Sequence, residues 1–209
     1  NNSYQWGLAV ASYSNGGAYA DLDNDGKPEI LTSSVDGLIV YKKGTTDYEE
    51  IGLPEGLIKI QSNPVVLDFD KDGFIDLFVS GKKENDDSVA LLLLNQKELE
   101  FSVQTVESDS LRITDYVVSD FNDDGFPDVL VSRDIDNGPR SLEVLMNNEG
   151  VNFSSLVDSD RLGLKKGKIF AADLTSDGRI DRDVEGNVIG SLGNVIARER
   201  AISTSMGLT

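Results

Sequence analysis

The sequence predicts an all-β fold: a β-propeller, or part of one, of about four four-stranded blades carrying Asp-rich loops. Three observations lead there. An acidic nine-residue motif returns along the chain, short apolar runs flank it in a constant order, and no stretch of a dozen residues keeps a helical period.

The motif reads Asp21-Leu22-Asp23-Asn24-Asp25-Gly26-Lys27-Pro28-Glu29, then Asp68-Phe69-Asp70-Lys71-Asp72-Gly73-Phe74-Ile75-Asp76, then Asp120-Phe121-Asn122-Asp123-Asp124-Gly125-Phe126-Pro127-Asp128. A weaker copy is Asp173-Leu174-Thr175-Ser176-Asp177-Gly178-Arg179-Ile180-Asp181. The starts at 21, 68, 120 and 173 are 47, 52 and 53 residues apart.

Each motif is preceded by an apolar stretch: Gly17–Ala20, Val65–Leu67, Tyr116–Ser119 and Ile169–Ala172. A second run follows the first three, at Ile30–Thr32, Leu77–Ser80 and Val129–Ser132. A polar turn comes next, then a third run at Leu38–Tyr41, Val89–Leu94 and Leu142–Met146. A last segment carries an aromatic, Tyr48, Phe101 or Phe153. Short β-branched and aromatic runs bounded by turn residues read as strands. Four of them in about 50 residues match a propeller blade. The run Leu91–Leu94 reads as a strand buried on both faces.

The chain is therefore read as one repeat domain, residues 1–209, with units at about 10–57, 58–109, 110–162 and 163–209. The last is degenerate, because Arg182–Asn187 stands where its second strand belongs. Four units either close a small ring, with residues 4–10 adding a strand, or form an arc of a larger one; the arc is slightly favoured. A β-sandwich is the runner-up, but it does not demand the same loop at the same place in each unit.

Composition narrows the chemistry. Among 209 residues, 19 are Lys or Arg and 37 are Asp or Glu, a formal charge of −18. So acidic a chain lacks the basic footprint that nucleic acid or an anionic membrane requires. Without Cys there is no disulfide, thiolate zinc site or Cys nucleophile. Without His there is no Ser-His-Asp triad and no imidazole ligand or base. The longest apolar run has six residues, far below the ~20 of a membrane helix. Residues 1–10 show no signal peptide, as expected of a chain that begins after processing or belongs to a longer product.

A metal held by this chain must be held by oxygen, and the motif supplies oxygens in a calcium-loop layout. In the first loop, carboxylates stand at positions 1, 3, 5 and 9 (Asp21, Asp23, Asp25, Glu29), and Lys27 can offer its carbonyl at position 7. Gly26 at position 6 permits a sharp turn with positive φ. The second loop offers Asp68, Asp70, Asp72, Asp76 and the Phe74 carbonyl. The third offers Asp120, Asn122, Asp124, Asp128 and the Phe126 carbonyl. The fourth has Asp173, Thr175, Asp177, Asp181 and the Arg179 carbonyl, and is expected to be the weakest or to hold nothing. Three calcium sites and a weaker fourth are thus expected. The residue at position 8 (Pro28, Ile75, Pro127, Ile180) is expected to turn inward and anchor the returning strand. Position 12 is Thr32, Val79, Val131 and Val184, so the bidentate Glu of an EF-hand is missing. Magnesium is the poorer candidate, since it keeps its waters and a strict octahedron.

With these loops, residues 10–181 resemble FG-GAP/VCBS repeats, the calcium-loop blades of integrin-type propellers. The segment Tyr13–Gly26 is similar to repeats of the ASPIC/UnbV group. The resemblance implies an extracellular, cell-surface or lumenal (periplasmic) location and a binding or scaffolding role toward other proteins or surface glycans. It leads to a non-enzymatic, calcium-stabilised module for interaction, adhesion or scaffolding. Two alternatives stand beside it: an accessory subunit docked in a larger complex, and a calcium-dependent polysaccharide-acting enzyme using carboxylate, Lys or Tyr chemistry.

Overall fold

The computed structural model describes residues 14–34, 37–41, 48–52, 57–85, 87–97, 99–106, 113–133 and 141–157. Among them there are thirteen strands and no helix, and no segment able to cross a membrane as a helix. The fourth unit, with Asp173, Thr175, Asp177, Arg179 and Asp181, lies outside the described residues, as do residues 4–10.

The strands form three antiparallel sheets in chain order, none closed on itself. The first is β1 (Ser14–Ala20), β2 (Glu29–Ser34), β3 (Gly37–Tyr41) and β4 (Tyr48–Gly52). The second joins β5 (Lys59–Ile60) and β6 (Val65–Leu67) to β7 (Asp76–Lys82), followed by β8 (Ser88–Asn95) and β9 (Phe101–Val106). The third is β10 (Ile113–Ser119), β11 (Asp128–Arg133), β12 (Ser141–Asn147) and β13 (Phe153–Val157). Among the described residues the predicted apolar runs fall on strands, and the outer strands begin at the three expected aromatics; Ile169–Ala172 lies outside the described residues. The chain divides into two units, Asn1–Leu111 with the first two sheets and Arg112–Thr209 with the third.

In the first unit the two sheets share one core. Leu31 pairs with Val40 across β2 and β3, and Leu77 with Leu93 and Val79 with Leu91 across β7 and β8. These residues, with Leu22, Leu38, Leu57, Ile60, Val89 and Leu99, form a single buried cluster. Each such side chain contributes about 1.5–3 kcal/mol on burial. The opposite face of β7 and β8, with Phe78, Ala90 and Leu92, is buried as well, so this strand pair is apolar on both sides as its sequence reads.

The first strand of every sheet is irregular at the same place. Its register shifts by one residue between Ser14 and Gly16 and between Ile113 and Asp115, and in the second sheet the strand breaks into β5 and β6. Opposite each irregularity stands a buried serine, Ser33, Ser80 or Ser132. The polar groups released by the break are recovered locally. The Ser80 N–H donates to Ser62 Oγ at 2.9 Å, Ser33 Oγ to the Ser62 carbonyl at 3.0 Å, and Thr114 Oγ1 to the Ser132 carbonyl at 3.1 Å.

In the second unit, β11 and β12 place Val131 opposite Glu143, with Arg133 next along the same face. Arg133 Nε donates to Glu143 Oε2 at 2.5 Å with both side chains buried, and Ser155 Oγ donates to the other carboxylate oxygen at 2.5 Å.

Candidate metal centres

Each acidic loop joins the first two strands of its sheet. The ladder closes on position 9 in all three: Ala20 with Glu29, Leu67 with Asp76, and Ser119 with Asp128. Between these pairs the backbone repeats. Position 6 is a glycine with φ of 84°, 88° and 90°, as its sequence position predicts. Position 4 is also left-handed, at Asn24, Lys71 and Asp123, with φ of 57°, 59° and 62°. Asn and Asp tolerate that conformation; a lysine there carries strain that its loop must offset.

Side chains at positions 3 and 5 each hold the backbone two residues on, as Asx turns do. Asp23, Asp70 and Asn122 accept from the N–H of position 5 at 3.1–3.2 Å. Asp25, Asp72 and Asp124 accept from the N–H of Lys27, Phe74 and Phe126 at 2.8 Å. Asp21 and Asp120 accept from the N–H of Gly26 and Gly125. Position 5 is engaged in this turn: Asp25 and Asp72 are not among the carboxylates that converge in the first two loops.

The fully buried anchor is position 2; of the position-8 residues expected to turn inward, Ile75 packs against the core cluster, Pro28 does not, and Ile180 lies outside the described residues. Leu22, Phe69 and Phe121 are buried, whereas Pro28 is exposed and Ile75 and Pro127 are half-buried. The N–H of this anchor donates to the position-9 carboxylate in every loop at 2.8 Å: Leu22 to Glu29, Phe69 to Asp76, Phe121 to Asp128. Position 9 is thus a buried clasp as well as a candidate ligand.

Two asparagines complete the clasp and were missed from sequence. The N–H of Asn95 donates to Asp76 Oδ1, and that of Asn147 to Asp128 Oδ1, each at 2.8 Å. Their amide groups donate to the position-8 carbonyls of Ile75 and Pro127. Asn95 also reaches the Leu22 carbonyl in the first loop at 2.8 Å. The available signal was an Asn at the end of the third run, at the same distance after the motif in both repeats.

Three carboxylates converge in each of the first two loops. Asp21, Asp23 and Glu29, and likewise Asp68, Asp70 and Asp76, each offer an oxygen within 4.8 Å of the others. In each group one oxygen, Asp21 Oδ1 or Asp68 Oδ1, is buried and has no hydrogen-bond partner among the described residues. An orphaned anionic oxygen beside two more is a costly arrangement that a hard divalent cation relieves. The donor set therefore fits a cation of the calcium type.

Electrostatics agrees. Burial pushes the Asp76 carboxyl up to about 6, against the Asn95 and Phe69 N–H groups that pull it down, with Asp70 and Asp72 adding to the rise. Burial likewise raises Glu29 against the Leu22 N–H, with Asp23, Asp21 and Asp25 adding to the rise. Asp70 rises through loss of water contact and the charges of Asp72 and Asp68, and Asp128 mainly through burial.

The remaining predicted ligands differ in what they touch. Asp25 carries the Lys27 ammonium at 2.9 Å, an exposed ion pair of small energetic weight. In the third loop both Asp120 oxygens are engaged: Oδ1 accepts the Asp124 N–H and Oδ2 the Gly125 N–H. Asn122 Nδ2 donates to Asp124 Oδ2 at 2.8 Å. With a neutral position 3, both Asp120 oxygens are hydrogen-bonded, whereas Asp21 Oδ1 and Asp68 Oδ1 have no such partner among the described residues. Lys97 Nζ sits 5.2 Å from the Phe74 ring centroid, covering position 7 of the second loop.

Comparison with known proteins agrees with this geometry. No curated protein matches the chain. The ASPIC/UnbV likeness of Tyr13–Gly26 finds no support beyond the sequence segment itself. A family model does match residues 68–131, a stretch that opens on the second acidic loop and runs through the third into β11. Over those residues the chain carries an FG-GAP-like repeat.

Proposed function

We propose that this chain is a non-enzymatic interaction module whose acidic loops bind calcium as structural braces, its sheets being blades of a propeller or propeller arc. One observation carries the reading: the same loop, with the same backbone, closes the same strand pair in three sheets, and in two of them it aims an orphaned carboxylate oxygen at two others. FG-GAP repeats suggest protein interaction or adhesion, and the module is assigned to an extracellular or lumenal setting with protein or glycan partners. Against catalysis, the position-9 carboxylates already hold backbone N–H groups on buried sites. A carboxylate so held is poorly placed to exchange a proton with a substrate.

The test is calorimetric melting in calcium and in chelator at matched ionic strength. With free calcium at ten times its dissociation constant each site adds about 1.4 kcal/mol. Two occupied loops then raise the melting temperature by roughly 5–10 °C, and magnesium recovers less. Identical melting curves in calcium and chelator overturn the calcium reading.

A further inference from the structure

The first and second loops belong to different sheets, yet a continuous line of hydrogen bonds joins their position-9 carboxylates. Glu29 Oε2 accepts the Leu22 N–H at 2.8 Å. The Leu22 carbonyl accepts Asn95 Nδ2 at 2.8 Å. The Asn95 N–H then donates to Asp76 Oδ1 at 2.8 Å. All three bonds are buried. A second bridge runs over the surface, from Asn24 Nδ2 at position 4 of the first loop to the Gly73 carbonyl at position 6 of the second, at 2.9 Å. Asn95 is itself 3% exposed and is fixed further by the Ile75 carbonyl and the Lys97 N–H.

We infer that the first two loops bind their cations as a coupled pair, with Asn95 the positioning residue that transmits occupancy from one to the other. This rests on the calcium reading above. A cation that fixes Glu29 fixes Leu22, and Leu22 fixes the amide of Asn95. Asn95 in turn holds Asp76 in the orientation its own loop needs. The second cation meets a loop whose ordering cost has already been met, which makes the coupling positive. Charge acts in the opposite direction, because the first cation reduces the negative potential felt by the second. That through-space effect fades with salt, whereas the buried bonds do not. High salt should therefore leave the positive coupling standing.

The experiment is a calcium titration of the full chain followed by amide NMR. Gly26 and Gly73 each report their own loop. In 0.5 M salt (about 4 Å of screening), disabling the first loop with Asp23→Ala is expected to raise the calcium midpoint at Gly73 about fivefold. In an Asn95→Ala background the same change leaves the Gly73 midpoint where it was. Asn24→Gly, which suits the left-handed backbone there, removes only the surface bridge and retains most of the coupling. A Gly73 midpoint indifferent to Asp23→Ala, with both loops of the parent chain binding calcium, overturns the coupling and leaves the calcium reading intact. Absence of any response at Gly26 and Gly73 overturns both.

Discussion

Truncating Asn95 to alanine isolates the clasp. The side chain makes three hydrogen bonds: to the Leu22 carbonyl at 2.8 Å, to the Ile75 carbonyl at 3.1 Å, and from the Lys97 N–H at 3.0 Å. Each is worth about 1 kcal/mol net, and the two carbonyls are left in places that water reaches poorly. Asn95→Ala is therefore expected to cost about 2–4 kcal/mol, or roughly 5–15 °C of melting temperature for a chain of this size. The equivalent Asn147 donates to the Pro127 carbonyl at 3.2 Å and accepts the Gly150 N–H at 2.8 Å, so Asn147→Ala should also destabilise the chain. Exposed Gln96 is the control, and Gln96→Ala should stay within about 0.5 kcal/mol of the parent. Urea and thermal unfolding in chelator, followed by circular dichroism, measure all three without a contribution from bound cation. If Asn95→Ala melts with the Gln96→Ala control, the side-chain bonds carry no weight and the clasp reasoning fails.

Further outcomes follow from the same geometry. Asp68→Asn removes one charge from a crowded loop, so in chelator it should leave stability unchanged or raise it by about 0.5–1 kcal/mol. In calcium the same substitution should lower the melting temperature, and two scans separate the signs. The folded-state value of Asp76, about 6, lies above its ordinary 3.8, so its contribution to the cation-free protein is full below about pH 4 and is lost as pH rises through 6. Calcium binding at the second loop runs the other way, weakening about tenfold per unit below pH 6; carboxyl NMR of Asp76 and titrations at pH 7 and 5 test both. Glu143→Ala removes the carboxylate that the buried Arg133 Nε bonds and should cost about 3–5 kcal/mol in urea unfolding, whereas a paired Arg133→Met, Glu143→Leu exchange should recover most of it.

The strand runs and the acidic loops were legible because both are periodic. A glycine at position 6 and carboxylates around it fix a hairpin loop whatever the rest of the chain does, and each outer strand starts at its expected aromatic. What escaped was tertiary. Position 2 looked like one more apolar residue between acids, yet it is the buried anchor, because the left-handed residue at position 4 folds the loop back over it. Position 8 looked like the anchor because it is apolar, but a proline leading into the ladder can stay in solvent at no hydrogen-bond cost. Asn95 and Asn147 recur at the same distance after the motif, but their role appears only once the third strand is laid beside the loop. The broken first strand of the second sheet was hidden too, since Lys59–Ile60 is too short to read as a strand.

The position-9 clasp also bears on the order in which the chain assembles. Asp76 ties together residues only 7 and 19 positions away, and Asp128 does the same. Closing loops so short costs little entropy, so each hairpin and its third strand can find their native pairing early and independently. The Asn95–Leu22 bond spans 73 positions and can form only after two such pieces exist. Each repeat thus behaves as a small folding nucleus with its own latch. Substitutions at Asp76 or Asp128 should slow refolding, while loss of the Asn95 amide should mainly hasten unfolding.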